Sequence, residues 1–545
     1  NFDTNNNQFG SPRDLERKLF LAFDGRNDYA TDTTLMSGWQ NASLMAWINI
    51  NSSFTTEGVV VGQDKFKIAV DNSKKIKIIA NGSLLEHNVS MADSQWIHVA
   101  AIFDGANGML NLYINGEHTD SISISGAINT DPSLFTIGKN PIADTDYFKG
   151  KIDEVRLFDV ALSDEQLQKI VYQEIYNNNG QIRGEIIPKD VPSLPWVNLI
   201  RYFRMDNYKD DIIDNHTTVS IDNTVGAKIY NIKTIKNQEA PMPFVTEQNG
   251  DFATAVHSVT KEIRGLDADD YDWSILHVKH NITSIIDNID LGLLIDPMAN
   301  IVMENNTKLQ NDWYLKLDGK IDLQGMSQLL QTSESDLDPS SSGILERDQQ
   351  GSGNKYNYNY WSSPVSSVAS STENNTGFTI NSILKDGTDA NNPQPITWVS
   401  GYDGSSNPLQ IARYWLYKFT NLTPLYANWQ QINENSIILT GQGYTMKGSA
   451  IATAPAIVLQ NYVFTGKPNN GTINHSGIQI GPENILLTGN PYPSALDAND
   501  FIQDNLSALS GTLYFWEHYP SNNTHILAGY QGGYAARNLV GGVPP

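Results

Sequence analysis

From Lys18 to Asp159 apolar and polar residues alternate with a period of two, and turn-forming pairs interrupt the alternation. Successive side chains of a strand point to opposite faces, so this pattern belongs to antiparallel strands with one face buried. Leu110, Leu112 and Ile114 alternate with Asn111, Tyr113 and Asn115, and Asn115-Gly116 then supplies the positive φ angles of a tight hairpin. Ile76 and Ile78 lead into Asn81-Gly82 in the same way. Ser163-Asp164-Glu165-Gln166 reads as a capping box that opens a short helix running to about Glu174. Helical periodicity is scarce elsewhere, and the expected class is all-β.

A chain of 545 residues exceeds a single hydrophobic core, so two to four domains are expected. Asn177-Asn178-Asn179-Gly180 and the stretch from Pro188 to Pro195 lack periodicity and carry turn formers, which makes 176–249 a linker with connecting strands, a second region starting near Trp196. Residues 250–335 carry short alternating runs, such as Leu315, Leu317, Ile321 and Leu323 around Asp318-Gly319. These read as rungs of a short β-solenoid or as sandwich strands, and periodicity does not separate the two. Ser333 to Gly353, rich in Ser, Asp, Gln and Gly, reads as a long loop, and 336–545 as a C-terminal β-sandwich-like region of aromatic strands and Gly, Pro and Asn turns.

Acidic residues outnumber basic ones 60 to 36, for a net charge of −24. Such a field repels phosphate backbones and anionic lipid and favours cations. No apolar run reaches the roughly 18 to 20 residues that span a bilayer. Neither a nucleic-acid partner nor direct membrane insertion is expected. The absence of cysteine excludes disulfides, thiolate metal sites and cysteine nucleophiles, and suits an exported protein with large cores. Residues 1–16 form a polar N-terminal extension without the basic start and apolar run of a signal peptide, which reads as a mature chain or a fragment, and the stop after Val543-Pro544-Pro545 resembles a strand connector, so the chain is expected to continue past Pro545.

Five segments occur in order: Leu19-Phe20-Leu21-Ala22-Phe23-Asp24-Gly25-Arg26-Asn27-Asp28-Tyr29, Trp96-Ile97-His98-Val99-Ala100, Leu112-Tyr113-Ile114-Asn115-Gly116-Glu117, Phe135-Thr136-Ile137-Gly138-Lys139 and Phe148-Lys149-Gly150-Lys151-Ile152-Asp153-Glu154-Val155-Arg156. Together they resemble the laminin-G-like (concanavalin-A-like) jelly roll, which places such a β-sandwich at residues 17–175, ahead of the further β-rich domains. Trp313-Tyr314-Leu315-Lys316-Leu317-Asp318-Gly319, Leu345-Glu346-Arg347-Asp348-Gln349-Gln350-Gly351, Tyr358-Asn359-Tyr360-Trp361-Ser362-Ser363-Pro364 and Gly489-Asn490-Pro491-Tyr492-Pro493-Ser494 are similar to segments of large exported proteins of Bacteroidetes. That resemblance implies type IX secretion and an extracellular or cell-surface location. The C-terminal sorting domain of such proteins is not recognisable in this sequence.

Calcium takes six to eight oxygen ligands, which clustered Asp, Asn and carbonyl groups supply. Asp24, Asn27 and Asp28 share one turn, and Asp153 follows a glycine-flanked strand entry. The jelly-roll resemblance implies that these Asp-Gly and Ile-Asp-Glu segments meet near one edge of the sandwich around a structural Ca2+. The competing reading has Asp24 and Asp28 making side-chain-to-backbone turn hydrogen bonds. Asp267, Asp269, Asp270 and Asp272 lack the Gly and closing Glu of a calcium loop and read as a solvated acidic loop, as do Asp206, Asp210, Asp211 and Asp214. Tyr356, Tyr358 and Tyr360, two apart, fall on one face of a strand as a glycan platform or as ordinary sheet packing.

Enzyme signatures are missing. No Glu-x-Asp-x-x-Glu run, Gly-x-Ser-x-Gly elbow or His-Glu-x-x-His helix occurs; Glu334 with Asp336 and Glu346 with Asp348 each begin the first pattern and fail at Pro339 and Gly351. His277 and His280, three apart in a strand-like run, point to opposite faces. Gly443 to Ser449 imitates a phosphate loop but reads as a β-turn. The expected function is binding or adhesion at the cell surface, with glycan or a surface protein as partner. A self-assembling subunit of a fibre or surface layer is the second reading, and a polysaccharide-degrading enzyme with a catalytic pair from distant segments the third.

Overall fold

The computed structural model describes residues 18–545 except 218–224, 238, 257–271, 305, 368–373, 420–427, 450–457, 475–480 and 483. The N-terminal extension and Asp267, Asp269 and Asp270 lie outside the described residues. The fold is nearly all β and divides into two compact units, Asn1–Val245 with Val256–Leu266 and Trp273–Ile275, and Thr246–Ala255 with Asp267–Asp272 and Leu276–Pro545.

The first unit is a jelly-roll sandwich. One sheet runs Glu117–Ser123, Met109–Ile114, Trp96–Asp104, Asn41–Ile50, Lys149–Phe158, Leu19–Asp24 and Thr234–Asn237 in order, and Leu199–Phe203 also pairs with Lys149–Phe158. The other runs from Tyr208–Lys209 through Ile212–Asp214, Gly226–Tyr230, Tyr29–Asp32, Phe135–Ile137, Gly58–Gln63, Phe66–Val70 and Lys75–Ala80 to Ser83–Ser90. Inward residues of both sheets, including Leu21, Phe23, Leu44, Phe66, Phe103, Leu112 and Phe135, close one core. Asn115 and Gly116 adopt φ of 54° and 88°, and the Ser163–Gln166 capping box forms with bonds of 3.2 and 3.1 Å.

The stretch 176–249 is not a linker. Ile175–Asn178, Gln181–Gly184 and Asp190–Pro195 make a three-stranded sheet, and the strands after them extend both sheets of the sandwich. Phe203, Met205, Tyr208, Ile213, Ala227 and Ile229 are buried in the jelly-roll core itself. Their apolar positions are few and irregularly spaced because each strand adds to an existing sheet rather than forming a new face, so no long alternation marks them.

Residues 275–347, all but the first of them in the second unit, form a β-solenoid of about four turns. Strands pair in parallel with matched registers, so that Ile282, Ile301, Ile321 and Leu345 stack on one another, as do Leu293, Leu315 and Leu337. A domain boundary at 335/336 would cut this stack, and the Ser333–Gly353 segment holds the strands Asp336–Leu337 and Ile344–Ser352 rather than one long loop. Its polar residues find partners on adjacent rungs, as where Lys320 Nζ lies 2.8 Å from Glu346 Oε2. Ile344–Ser352 then pairs antiparallel with Leu459–Pro468, carrying the solenoid sheet into the C-terminal region. Smaller sheets follow, among them Tyr358–Trp361, Tyr444–Lys447, Tyr417–Phe419 and Trp429–Gln431.

Candidate functional site

Antiparallel register builds an aromatic site at one end of the jelly roll. In Tyr29–Asp32 the side chains of Ala30 and Asp32 are buried while Tyr29 and Thr31 face outward. Tyr230 is the register partner of Tyr29, and their rings stack with centroids 4.5 Å apart and planes 11° from parallel. Tyr147 lies 6.3 Å from Tyr29 at 49°. Lys139 Nζ stands 4.3 Å from the Tyr29 ring centre and 2.6 Å from Asp144, and Lys228 Nζ 5.7 Å from the Tyr230 ring centre and 3.3 Å from Asp211. Tyr29 is thus covered by the stacked Tyr230 ring and by the Lys139 ammonium, and the half-buried Tyr230 and Tyr147 rings flank it among charged hydrogen-bonding groups.

The turn expected to hold calcium runs directly into this site. Asp24 Oδ1 accepts from the backbone N–H of Arg26 at 2.8 Å and Asn27 at 3.3 Å, and Asp28 Oδ2 accepts from the Asp24 N–H at 2.9 Å. Asn231 Nδ2 donates to the Asn27 carbonyl at 2.8 Å, which ties the turn to the residue after Tyr230. Gly25 takes φ of 75°, and a Cβ there would come within 2.7 Å of Lys149 Cβ, so the Asp-Gly pair is needed for the backbone alone. Asp28 is buried, its Oδ1 has no partner, and burial pushes its carboxyl up to about 6, with the Asp24 backbone bond opposing and the Asp24 charge adding.

Asp153 does not join this group. Asp24 is paired with Lys149, and Asp153 stands four residues further along the same strand, about 13 Å away at ~3.3 Å per residue. Its Oδ1 accepts from the Glu154 N–H at 2.9 Å. The antiparallel register therefore splits the expected ligand set into the Asp24–Asp28 turn and a separate buried aspartate. Among the described residues no cluster of three or more His, Asp or Glu side chains is placed to hold a metal ion.

Next to Asp153 a register shift between Asp153 and Arg156 marks a bulge, with Glu154 at φ of 51°. The bulge seats Glu154 against Arg156 Nη2 at 2.6 Å and the Tyr202 hydroxyl at 2.5 Å, all three buried. Arg204 pairs with Glu174 and lies 3.3 Å from Asp206, whose Oδ1 accepts from the Leu19 N–H at 2.6 Å. Burial, with Glu154 adding, pushes the Asp206 carboxyl up to about 8. Asp206 is thus a buried acid and not part of a solvated loop, because Arg204 and the Leu19 amide receive it. Three carboxyl groups gather here, sealed from solvent.

In the second unit Tyr356, Tyr358 and Tyr360 share one side but form no flat row. Tyr358 and Tyr360 are 6.3 Å apart, Tyr360 stacks on His518 at 6.1 Å, and Tyr356 meets His525 at 4.7 Å. Trp415 stacks on His525 at 4.7 Å and packs edge-on against Tyr358. Residues from 512–530 cover the rings that a lone strand would have left bare. At the centre lies Lys447, which sequence reasoning missed: Gly443–Ser449 is not a turn but contains the strand Tyr444–Lys447, which carries the lysine inward. Its Nζ is 3.7 Å from the Trp415 ring centre, 4.6 Å from Tyr358 and 4.8 Å from Tyr530, and it bonds His525 Nδ1 at 3.1 Å and the Tyr530 hydroxyl. His525 Nε2 meets Asp403 Oδ1 at 2.9 Å. Burial pushes the Lys447 amine down to about 7, with Asp403 opposing. His277 and His280 have separate partners, Asp296 and Thr246.

Residues 24–168 match the family model described as Concanavalin A-like lectin/glucanases superfamily. They are a laminin-G-like domain. Residues 275–540 match a second model, described as Domain of unknown function (DUF8693), which spans the solenoid and the strands after it. A comparison with curated proteins finds no match. Among solved structures, a Bacteroides ovatus protein provisionally assigned as carbohydrate binding is 20% identical at a TM-score of 0.33, over 42% of this chain and 62% of its own. The chain thus spans under two thirds of that protein. A heptameric SAP-like pentraxin from Limulus polyphemus is 15% identical at a TM-score of 0.27, over 40% of this chain and 96% of its own. Domains LG4-5 of the mouse laminin alpha1 chain are 10% identical at 0.22, over 28% and 45%.

Proposed function

We propose that the laminin-G-like domain is an extracellular glycan-binding module of an exported cell-surface protein, and that it takes its ligand on the tyrosines at adjoining strand ends of the second sheet. The stacked Tyr29–Tyr230 pair with Tyr147 beside it carries this reading. The Tyr230 and Tyr147 rings offer apolar surface to the carbon-bound hydrogens of a sugar, and Lys139 over Tyr29, Lys228, Asp144 and Asp211 supply hydrogen bonds beside them. The match to a lectin and glucanase superfamily fits the same class of ligand. Binding rather than hydrolysis is favoured because the Glu154, Glu174 and Asp206 carboxyl groups are buried and engaged by arginines, out of reach of a substrate.

Calcium belongs to this proposal at the Asp24–Asp28 turn, where the unpartnered buried Asp28 Oδ1 is a ready oxygen ligand. Bound there, the cation would brace the turn that precedes Tyr29. The test is a glycan array probed with the full chain, in calcium and in EDTA, followed by titration of the best glycan. Tyr147→Ala and Tyr230→Ala should each weaken binding by about tenfold or more at unchanged melting temperature, as removal of a central aromatic contact does. Full affinity in the double variant would refute the site. A melting temperature that ignores calcium, in the wild type and in Asp28→Asn alike, would refute the metal.

A further inference from the structure

In the sheet made by Thr512–His518, Gly532–Asn538 and Gly542–Val543, no residue of the two longer strands is buried. Side chains alternate along a strand, so Tyr514, Trp516 and His518 share one face and Leu513, Phe515 and Glu517 the other. Tyr534 is the register partner of Trp516, and their rings lie 4.7 Å apart. His518 stacks on Tyr360 and so fixes one end of the strand. The rings beyond it stay in water: Tyr514, Phe515 and Tyr534 are 66%, 53% and 61% exposed.

Thr512–His518 is also an edge strand. Gly532–Asn538 pairs with one side of it, and among the described residues no strand pairs with the other. An open edge presents a row of unpaired N–H and C=O groups, which proteins ordinarily blunt with charge, proline, a bulge or brevity. This edge is barely blunted. It is seven residues long, it carries one acid and no lysine or proline, and its register against Gly532–Asn538 runs without a shift. Tyr514, Phe515 and Trp516 are residues that favour a strand flanked on both sides.

We propose that a second copy of this chain adds its own Thr512–His518 to this edge, antiparallel and about a two-fold axis. Antiparallel self-pairing joins all seven residues in one register only: Phe515 opposite Phe515 of the second copy, Tyr514 opposite Trp516, Leu513 opposite Glu517 and Thr512 opposite His518. Aromatic rings then meet aromatic rings across the seam. No like charges face each other, because Glu517 falls opposite Leu513, in the row that Arg537 continues on the next strand. Copies with a net charge of −24 repel one another, and a seam with a single acid offered a cation is where they can meet. At about 200 Å² per ring, the exposed parts of Tyr514, Phe515 and Tyr534 come to roughly 350 Å² per copy. A stable interface buries about 800 Å² per partner, so the pairing is a reversible one that also draws on the backbone edge.

The experiment uses the full chain, which has no cysteine of its own. Residues directly opposite in an antiparallel pair have Cα atoms about 4.5–5.5 Å apart, within reach of a disulfide. Under mild oxidation Phe515→Cys should therefore cross-link into a covalent dimer. Leu513→Cys should not, because the register sets Leu513 of the two copies four strand positions apart, about 13 Å. Sedimentation equilibrium of the wild type should show the mass rising toward two chains with concentration. Phe515→Lys, which brings two ammonium groups together at the axis, should hold it at one chain with the melting temperature unchanged. A wild type that stays at one chain would overturn the proposal, as would cross-linking that is equal in the two cysteine variants or missing from both. The cysteine pair decides the matter even where Phe515→Lys fails to fold.

Discussion

Arg156→Met tests the buried ion pair with Glu154, on which the Tyr202 hydroxyl closes from beyond residue 175. Arg156 is 1% exposed and its guanidinium serves four acceptors: Glu154 Oε2 at 2.6 Å, the Ile170 carbonyl at 2.6 Å, the Gln173 carbonyl at 2.8 Å and the Tyr202 hydroxyl at 3.3 Å. Methionine fills similar volume and donates nothing. Glu154 then keeps only the Tyr202 hydroxyl and an Arg204 nitrogen 4.0 Å away, and two carbonyls at the end of the Asp164–Val171 helix lose their donor. Breaking a buried pair from one side costs about 3–5 kcal/mol. For a unit of this size that is a fall in melting temperature of roughly 6–20 °C, at ~2–4 °C per kcal/mol. Calorimetry of the full chain should show the loss in the transition of the first unit. Glu154→Gln combined with Arg156→Met removes the stranded charge and should recover about half of it. A double variant as unstable as Arg156→Met, or a single variant within ~1 kcal/mol of wild type, would refute the argument.

Truncation gives a coarser check on the same boundary: a fragment ending at Tyr176 lacks Phe203, Met205, Ile213 and Ile229 and should fail to fold cooperatively, whereas one ending at Val245 should melt in a single transition. Ile321→Ala, at a fully buried rung centre stacked between Ile301 and Leu345, should destabilise the second unit by about 2–5 kcal/mol in urea unfolding. Lys447 makes the second unit pH-dependent. Its amine, near 7 when folded, releases a proton that the unfolded chain holds up to its ordinary value near 10.5, so stability should rise between those values. Because the Trp415, Tyr358 and Tyr530 rings favour the ammonium, the gain from pH 7 to 9 is set at about 1 kcal/mol. Thermal melts at the two pH values should show it in wild type and not in Lys447→Met; equal slopes would refute it.

The parts of this fold legible in the sequence are those whose partners lie nearby in the chain. Asn115-Gly116 announces its hairpin because both positive φ angles belong to adjacent residues, and Ser163 with Gln166 announces its helix because the box closes over three positions. The helix stops at Val171 and not at Glu174; the Ile170 and Gln173 carbonyls turn to Arg156, which no local pattern reveals. The solenoid is half legible. Its rungs at Ile282, Ile301, Ile321 and Leu345 are unequally spaced, and inserts such as 338–343 break the period before it can be counted. The stacked tyrosines are not legible at all: Tyr29 and Tyr230 meet only through the pairing of Tyr29–Asp32 with Gly226–Tyr230, two strands most of the first unit apart in sequence.

Charge shows the same division between what composition states and what packing decides. A net charge of −24 suggests acids spread in water, and Asp206, Asp290 and Asp322 contradict it by being buried. Each is received differently. Asp206 sits between Arg204 and the Leu19 amide, Asp290 faces the Asn311 amide, and Asp322 lies 3.5 Å from Lys320. In every case burial raises the carboxyl above its ordinary range, to about 6 for Asp322, so these groups stand closer to neutral than surface acids do. The field that repels anions therefore comes from the surface carboxylates, and clefts inside the fold can be uncharged. An acidic chain can thus carry an interior held by uncharged groups: the Asp290 carboxyl, raised by burial, is received by the Asn311 amide and not by a cation.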